Sequence, residues 1–258
     1  MRHPPVTWTG PHPSAVPLVA VAHGSRDPRA AATVEDLLDA VRARRPGLPV
    51  HTSFLDHAPP SPDRVLQGLD ADAAVVLPLL LTAAYHSKID IPGVLAGVRT
   101  ARPRLGLRTA GTLGPHPLLV AALERRLAEA GVACGDPRTA VVLVAAGSSD
   151  PAANATIWSM ARRWREAGWW GVVPAFASAT GPSPADAVAA LLDAGAPRVA
   201  VASYFLAPGY FADKVRAESL SAGAAVVSDV LGAAPELADL VLHRHDEALS
   251  GLRQAAAV

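Results

Sequence analysis

Two histidines and an aspartate each follow an apolar run in the first half of the chain. His23 comes directly after "LVAVA", Asp56 follows "TSFL", and His86 follows "VVLPLLLTAAY". If these runs are neighbouring parallel strands, their carboxyl ends share one edge of a sheet, which is where open α/β sheets bind ligands. The spacing therefore predicts that the three side chains lie on one rim.

These residue types indicate a metal site, although each has a structural alternative. Imidazole and carboxylate together suit a divalent cation such as Fe²⁺, Co²⁺, Ni²⁺ or Zn²⁺, and two or three protein ligands leave coordination positions open. The alternative is that a histidine after a strand only forms hydrogen bonds and that the aspartate caps the next helix. Ser25 and Asp27 are capping types of this kind. Gly24 permits a sharp turn and is expected to leave room for a bulky ligand.

An internal duplication helps to choose between these readings. Four segments of the first half recur in order in the second half at offsets of 118 to 125 residues, beginning with "AHGSRDP" and "AAGSSDP". The second copy keeps the glycine and serine but has Ala146, Ser178 and Phe211 at the positions of the three candidate ligands. Residues that only the shared fold needs should survive in both copies. We therefore interpret His23, Asp56 and His86 as one metal site in the first copy.

Each copy alternates short apolar runs with amphipathic segments of helical period, which is typical of an α/β fold with a parallel sheet flanked by helices. We predict a tail at residues 1–15, a lobe with the metal site at 16–132, and a degenerate second lobe at 139–250. In the first lobe, strands are expected near residues 17–22, 49–55, 73–82 and 107–112. Helices are expected near residues 28–45, 61–70, 89–101 and 116–130.

Composition excludes several classes of protein. Apolar residues make up 50% and charged residues 18% of the chain, which is typical of a folded protein. No apolar stretch reaches about 18 residues and the N-terminus lacks the apolar run of a signal peptide, so we expect a cytoplasmic protein without a membrane partner. A net charge of zero gives no reason to expect nucleic-acid binding. The single cysteine, Cys134, excludes an internal disulfide and a cysteine-based zinc site.

Several segments together resemble the sirohydrochlorin chelatases, the class II chelatases that insert a divalent metal into a modified tetrapyrrole for sirohaem or cobalamin synthesis. The segments are "VAHGSRDP", "FLDHAPPSP", "VVLPLLLTAAYHSKIDIP" and "GTLGPHP", and the similarity covers residues 16–250. The resemblance implies two chelatase-like lobes with the macrocycle held in the cleft between them. It also implies that His23, Asp56 and His86 contact the metal substrate, Fe²⁺ or Co²⁺ with Ni²⁺ as a third candidate, and that no organic cofactor takes part.

The implied chemistry gives the three residues distinct roles. A tetrapyrrole must lose two ring protons while the metal loses its water ligands, so we expect His23 and His86 to hold the metal and to take up or relay the protons. Asp56 stands where the family usually has glutamate, and its carboxylate reaches about 1.5 Å less. Asp56 is therefore expected either to ligate the metal or to orient another ligand.

Two groups of residues are candidates for binding the macrocycle. Lys88 and Lys214, the two lysines of the chain, occupy equivalent loops. Together with Arg26 and Arg216 they are predicted to pair with its carboxylates, the alternative being an ordinary solvated loop. The stretch "SYFLAPGYF" at residues 203–211, which contains Tyr210, is either a wall against the ring or strand core.

Two other functions stay open at this point. A metal or tetrapyrrole carrier would use the same histidine pair without turnover, and only an insertion assay separates it from a chelatase. A histidine phosphatase is the second alternative, because "AHGSRD" partly matches the Arg-His-Gly signature of that class. Ala22 stands in place of the signature arginine, and a duplicated lobe is not expected there. The sequence gives no prediction of oligomeric state.

Overall fold

The computed structural model describes residues 16–82 and 90–255, the last five of these by their backbone alone. Its strands form two parallel four-stranded sheets, in the orders β2-β1-β3-β4 and β6-β5-β7-β8. The strands of the first sheet are β1 (Leu18–Ala22), β2 (Val50–Phe54), β3 (Ala73–Pro78) and β4 (Gly106–Thr109). Those of the second sheet are β5 (Thr139–Ala145), β6 (Gly171–Phe176), β7 (Arg198–Tyr204) and β8 (Val226–Val227).

Eight α-helices connect or follow these strands in the described residues. They are α1 (Pro28–Arg44), α2 (Pro62–Gln67), α3 (Ile91–Ala101), α4 (Pro117–Glu129), α5 (Pro151–Trp164), α6 (Pro184–Asp193), α7 (Tyr210–Ser221) and α8 (Pro235–Ala255). A short 3₁₀ turn, Arg165–Ala167, continues α5. No described helix combines the length and the apolar composition needed to cross a bilayer.

The predicted fold class is confirmed, and the strands and helices of the first half lie close to the predicted ranges. Strand β3 ends at Pro78, before the predicted residue 82, but the N–H of Leu79 still donates to the carbonyl of Val21 at 2.8 Å. Helix α1 begins where expected because Asp27 caps it, accepting the N–H of Arg29 at 2.9 Å. Helix α3 begins at Ile91, and residues 83–89 lie outside the described part of the chain.

The final helix of each sequence repeat packs on the sheet of the other repeat. Helix α4 contacts β7, whereas α8 contacts α1, β3 and β4. One apolar cluster accordingly contains buried residues of both sheets, such as Leu77 of β3 and Leu143 of β5. The predicted boundaries at 16–132 and 139–250 separate the two sequence repeats. That each repeat is an independently folding domain stays a prediction.

Ion pairs at the protein surface also hold α8 against α1 and α4 of the first repeat. Arg45, which follows α1, binds Asp246 of α8 at 2.6 Å, and Arg125 of α4 binds Glu236 in the first turn of α8 at 2.7 Å. The hydrogen bond from Arg125 lowers the pKa of Glu236 below its ordinary value. Because the negative charge also lies at a helix N-terminus, the ionised form of Glu236 is favoured in the folded state.

The lowered pKa of Glu236 predicts acid-dependent stability. A carboxyl whose pKa is lower in the folded chain stabilises the fold above its unfolded pKa and loses that contribution as pH falls through its folded pKa. We therefore expect wild-type protein to lose more unfolding free energy than Glu236→Gln as the pH falls from neutral through the pKa of this carboxyl, as measured by urea titration. The control is Glu129→Gln, since Glu129 pairs with Arg126 within α4. Equal pH dependence in wild type and Glu236→Gln would contradict a role for the α4–α8 pair.

Candidate functional site

A cavity of about 680 Å³ lies where the carboxyl ends of the two sheets face each other. Its lining comes from the residues that follow β1, β2 and β3 on one side and β5 and β7 on the other. The first two turns of α1 and α5 and the first turn of α7 also contribute. This is the edge at which parallel α/β sheets bind ligands. The volume falls within the range of small-molecule sites, about 300–1,000 Å³.

The loop after β1 supplies the first polar side chains of the cavity. His23 is exposed and lines the cavity together with Ser25 and Arg26. The loop is held from both ends: the N–H of Asp56 donates to the carbonyl of His23 at 2.9 Å, and Ser25 Oγ accepts the N–H of Asp27 at 3.1 Å. A fixed backbone therefore presents the imidazole of His23 at the cleft.

Gly24 permits the expected sharp turn and also lets two loops approach each other. Its φ is +92°, and a Cβ at this position would lie 1.8 Å from the carbonyl oxygen of Asp56. Gly147 in the second lobe has φ +85°, and its Cβ would lie 2.0 Å from the carbonyl oxygen of Ser178. The position of a Cβ atom is therefore occupied by the neighbouring loop in both lobes, while Gly24 itself lines the cavity. The glycine persists because the two loops must approach each other closely.

His57 was not among the candidates predicted from the sequence, yet it lines the cavity, whereas Asp56 does not. Asp56 instead faces His57: its Oδ1 accepts the backbone N–H of His57 at 2.8 Å, and its Oδ2 lies 3.3 Å from the ring nitrogen Nε2 of His57. The duplication contained the signal that was missed, because Ala179 occupies the position of His57 in the second lobe. His57 is thus another potential ligand that the second lobe lacks.

The predicted metal-ligand set spans described and undescribed residues. His86 and Lys88 lie outside the described part of the chain. Among residues 16–82 and 90–255, no group of three histidine, cysteine, aspartate or glutamate side chains is close enough to hold a metal ion. The assignment of His23, Asp56 and His86 as metal ligands therefore remains a prediction.

The opposite wall of the cavity belongs to the second lobe and is mostly apolar. Ala145, Ala146 and residues 205–212 line it. Within the stretch "SYFLAPGYF", Ser203 to Phe205 are buried, while Leu206 to Phe211 are at least partly exposed towards the cavity. The first residues of this stretch are therefore strand core, and the later residues form part of the cavity wall.

Aromatic side chains belong to this wall at both exposed and buried positions. Tyr210 is 74% exposed and Phe211 40% exposed, and their rings meet edge to face with centroids 5.5 Å apart. Tyr204 is buried, and its hydroxyl donates to the carbonyl of Leu81 in the first lobe at 3.0 Å. Burial raises the pKa of Tyr204, so this hydroxyl stays protonated and continues to join the two lobes.

Only one of the described cations that we predicted to bind substrate reaches the cavity. Arg26 is exposed and lines it. Lys214 lies one turn into α7 and pairs with Glu218 at 3.1 Å, and Arg216 pairs with Asp229 at 2.7 Å. Neither of these two side chains lines the cavity, which argues against the prediction that Lys214 and Arg216 face the ligand.

The fold and the cleft define a duplicated α/β protein with a cavity between two pseudo-equivalent sheets. The CbiX family model matches residues 17–130 and again residues 140–248. The chain belongs to the CbiX family. The two matched segments correspond to the two sequence repeats.

The relatives of the chain include named chelatases. The chain is 32% identical over 203 residues to the sirohydrochlorin cobaltochelatase of Priestia megaterium. This match covers 73% of the chain and 63% of the relative. It is 30% identical over 171 residues to the sirohydrochlorin ferrochelatase of Bacillus subtilis, covering 64% of each protein. Both matches span less than two thirds of the relative's length. The resemblance to sirohydrochlorin chelatases is thereby confirmed.

A solved structure has the same architecture. SirB from Bacillus subtilis with Fe³⁺ superposes with a TM-score of 0.78 at 26% identity, covering 91% of this chain and 95% of that protein. The shared fold therefore includes both lobes of the present chain.

Proposed function

We propose that the protein inserts a divalent metal, Fe²⁺ or Co²⁺, into sirohydrochlorin. The observation that carries this proposal is the cleft, which places imidazoles on one wall and an apolar, aromatic surface on the other. A flat macrocycle can rest one face against the apolar wall while metal donors approach its other face. The names of the relatives in Priestia megaterium and Bacillus subtilis support this choice of substrate.

The side chains of the first lobe would perform two tasks during insertion. Neutral imidazole binds a borderline divalent metal through one nitrogen lone pair, so His23 can hold the metal beside the ring. Insertion releases two protons from the ring nitrogens, and an exposed histidine can accept a proton and pass it to solvent. His86 is proposed to share both tasks on the basis of the sequence. Asp56 contacts His57, which favours an orienting role for its carboxylate over direct ligation.

An insertion assay tests this function directly. Anaerobic sirohydrochlorin is mixed with Co²⁺ or Fe²⁺ and a small molar fraction of protein, and the absorbance of the metallated ring is followed. A chelatase forms many equivalents of product per protein, whereas a carrier forms no more product than the uncatalysed reaction plus one equivalent. Absence of turnover with either metal would favour the carrier.

A histidine phosphatase is less consistent with the cleft. Ala22 is a buried residue at the end of β1, so this position offers no arginine beside His23. Arg26 is the one arginine among the described residues that line the cavity. A phosphorylated histidine would need more positive charge around it. Family membership also favours a chelatase.

Metal choice, pathway and cellular context stay predictions. A site built from imidazole and carboxylate discriminates weakly among divalent metals, so we propose Fe²⁺ and Co²⁺ from the relatives and keep Ni²⁺ as a third candidate. We also expect no organic cofactor, no nucleic-acid or membrane partner, and a cytoplasmic location. Insertion rates measured side by side with the three metals would establish the preference.

The position of Arg26 predicts an effect on substrate binding that Lys214 lacks. We expect Arg26→Ala to weaken sirohydrochlorin binding by about tenfold, the equivalent of one charge-assisted hydrogen bond of about 1.4 kcal/mol. The effect should shrink at high salt, because exposed charges are screened. Lys214→Ala is the matched control, since Lys214 pairs with Glu218 away from the cavity. Equal weakening by both variants, measured by fluorescence or absorbance titration, would contradict this assignment.

A further inference from the structure

We infer that His57 is a ligand for the metal substrate and that Asp56 orients it. This inference rests on the proposed function, since it adds an imidazole to the metal-handling wall of the same cleft. His57 and His23 both line the cavity, on loops that follow adjacent strands. The N–H of Asp56 donates to the carbonyl of His23, so one backbone hydrogen bond joins the two loops beside the histidines.

The carboxylate of Asp56 determines how the His57 ring is presented. Its Oδ1 accepts the backbone N–H of His57 at 2.8 Å, which holds the carboxylate on the turn, and its Oδ2 lies 3.3 Å from the ring nitrogen Nε2. A negative charge at this distance favours the tautomer with its proton on Nε2, which leaves the lone pair on Nδ1. Metal-bound histidines commonly have a carboxylate at their second ring nitrogen, which fixes the tautomer and the ring orientation. The Asp56–His57 pair has this arrangement.

The exposure of Asp56 and His57 supports the same roles, with His57 as the ligand and Asp56 as the orienting residue. Asp56 is 63% exposed and does not line the cavity, whereas the His57 side chain is 33% exposed and does. A carboxylate outside the cavity is poorly placed to contact a metal at the macrocycle. The imidazole of His57 contacts this carboxylate and also lines the cavity, so it can hold a metal there while Asp56 orients it.

The turn itself does not require histidine. His57 adopts a left-handed conformation with φ 64°, and so does Ala179 at the equivalent position of the second lobe. An alanine therefore satisfies the backbone of the same turn, and the one polar contact described for the imidazole is that to Asp56. A side chain that the fold does not need, at the edge of a binding cleft, is available for ligand chemistry.

A site with few protein donors suits a metal that must be released. His23 and His57 would together provide two imidazoles, leaving further coordination positions for water and for the entering ring nitrogens. A closed set of four protein ligands would retain the ion, as structural zinc sites do.

Co²⁺ titration without macrocycle tests this inference separately from catalysis. Affinity is measured by calorimetry, and coordination is measured by the visible absorption of bound Co²⁺. We expect His57→Ala to weaken Co²⁺ binding by at least about tenfold and to change the absorption band, and Asp56→Asn to weaken it by about tenfold, as for other orienting partners. His51→Ala is the control, because His51 is half-buried on β2 and does not line the cavity.

A second variant separates loss of a ligand from disturbance of the turn. His57→Asn keeps a residue type that tolerates the left-handed conformation, so its fold should be intact while its Co²⁺ affinity falls as in His57→Ala. Wild-type affinity and spectrum in both His57 variants, together with loss of binding in His23→Ala, would overturn the role of His57 and leave the proposed function standing. Unchanged Co²⁺ binding in the His23 and His57 variants alike would overturn the metal site of the proposed function as well.

Discussion

His23→Ala is expected to reduce metal insertion into sirohydrochlorin by about a hundredfold or more, the range in which removal of a proton-transferring group falls. The imidazole would act twice, first as a metal ligand and then as a proton acceptor, so alanine removes both contributions. Single-turnover absorbance measurements with Co²⁺ give the insertion rate without interference from product release. His86→Ala is expected to give a similar loss on the basis of its sequence position.

The loss in His23→Ala should occur without loss of the fold. His23 is exposed at the end of β1, and exposed substitutions usually change the free energy of unfolding by less than about 1 kcal/mol. His243→Ala is a matched control, because His243 is a histidine of α8 that pairs with Glu247 outside the cleft. Insertion by His23→Ala at the rate of His243→Ala would remove His23 from the mechanism.

The order of strands and helices could be predicted because each depends on local signals. Apolar runs such as Leu18–Ala22 are buried on both faces of a parallel sheet, and aspartates such as Asp27 and Asp150 cap the helices that follow. The exchange of α4 and α8 between the sheets could not be predicted in this way. It depends on contacts between residues more than a hundred positions apart, such as Arg125 and Glu236, which no local pattern encodes.

The candidate site was predictable only in part for a similar reason. The position of His23 directly after a predicted strand indicated that it lies at the cleft, because the carboxyl ends of parallel strands share one edge. His23 does line the cavity. Lys214 was assigned to the same rim from its loop position, but α7 begins at Tyr210 and carries Lys214 one turn further, where Glu218 binds it. His57 was missed because Asp56 comes first after the apolar run, and only the described contacts show which of the two side chains faces the cavity.

Gly24→Ala and Gly147→Ala are expected to destabilise the protein equally but to differ in their effect on metal binding. Each substitution places a Cβ within 2.0 Å of a carbonyl oxygen, at a residue with φ of +92° or +85°. Left-handed backbone and forced overpacking together should cost about 2–5 kcal/mol in each variant. Gly47→Ala is the control, since a Cβ there would meet no atom within 4 Å. Urea unfolding measures the three changes in free energy.

Metal affinity should then separate the two destabilised variants. The methyl group added in Gly24→Ala would push against the carbonyl of Asp56 and so displace the loop that carries Asp56 and His57. The methyl group added in Gly147→Ala would instead displace Ser178 and the alanine after it, which offer no strong metal donor. We therefore expect Gly24→Ala to weaken Co²⁺ binding by about tenfold, as when an orienting partner is lost, and Gly147→Ala to bind Co²⁺ as wild type does. Binding is compared well below the unfolding transition, where both variants are folded. Equal weakening in the two variants would mean that the second lobe also supports the metal site, and that the loss of ligand side chains from its turn does not mark a division of labour between the lobes.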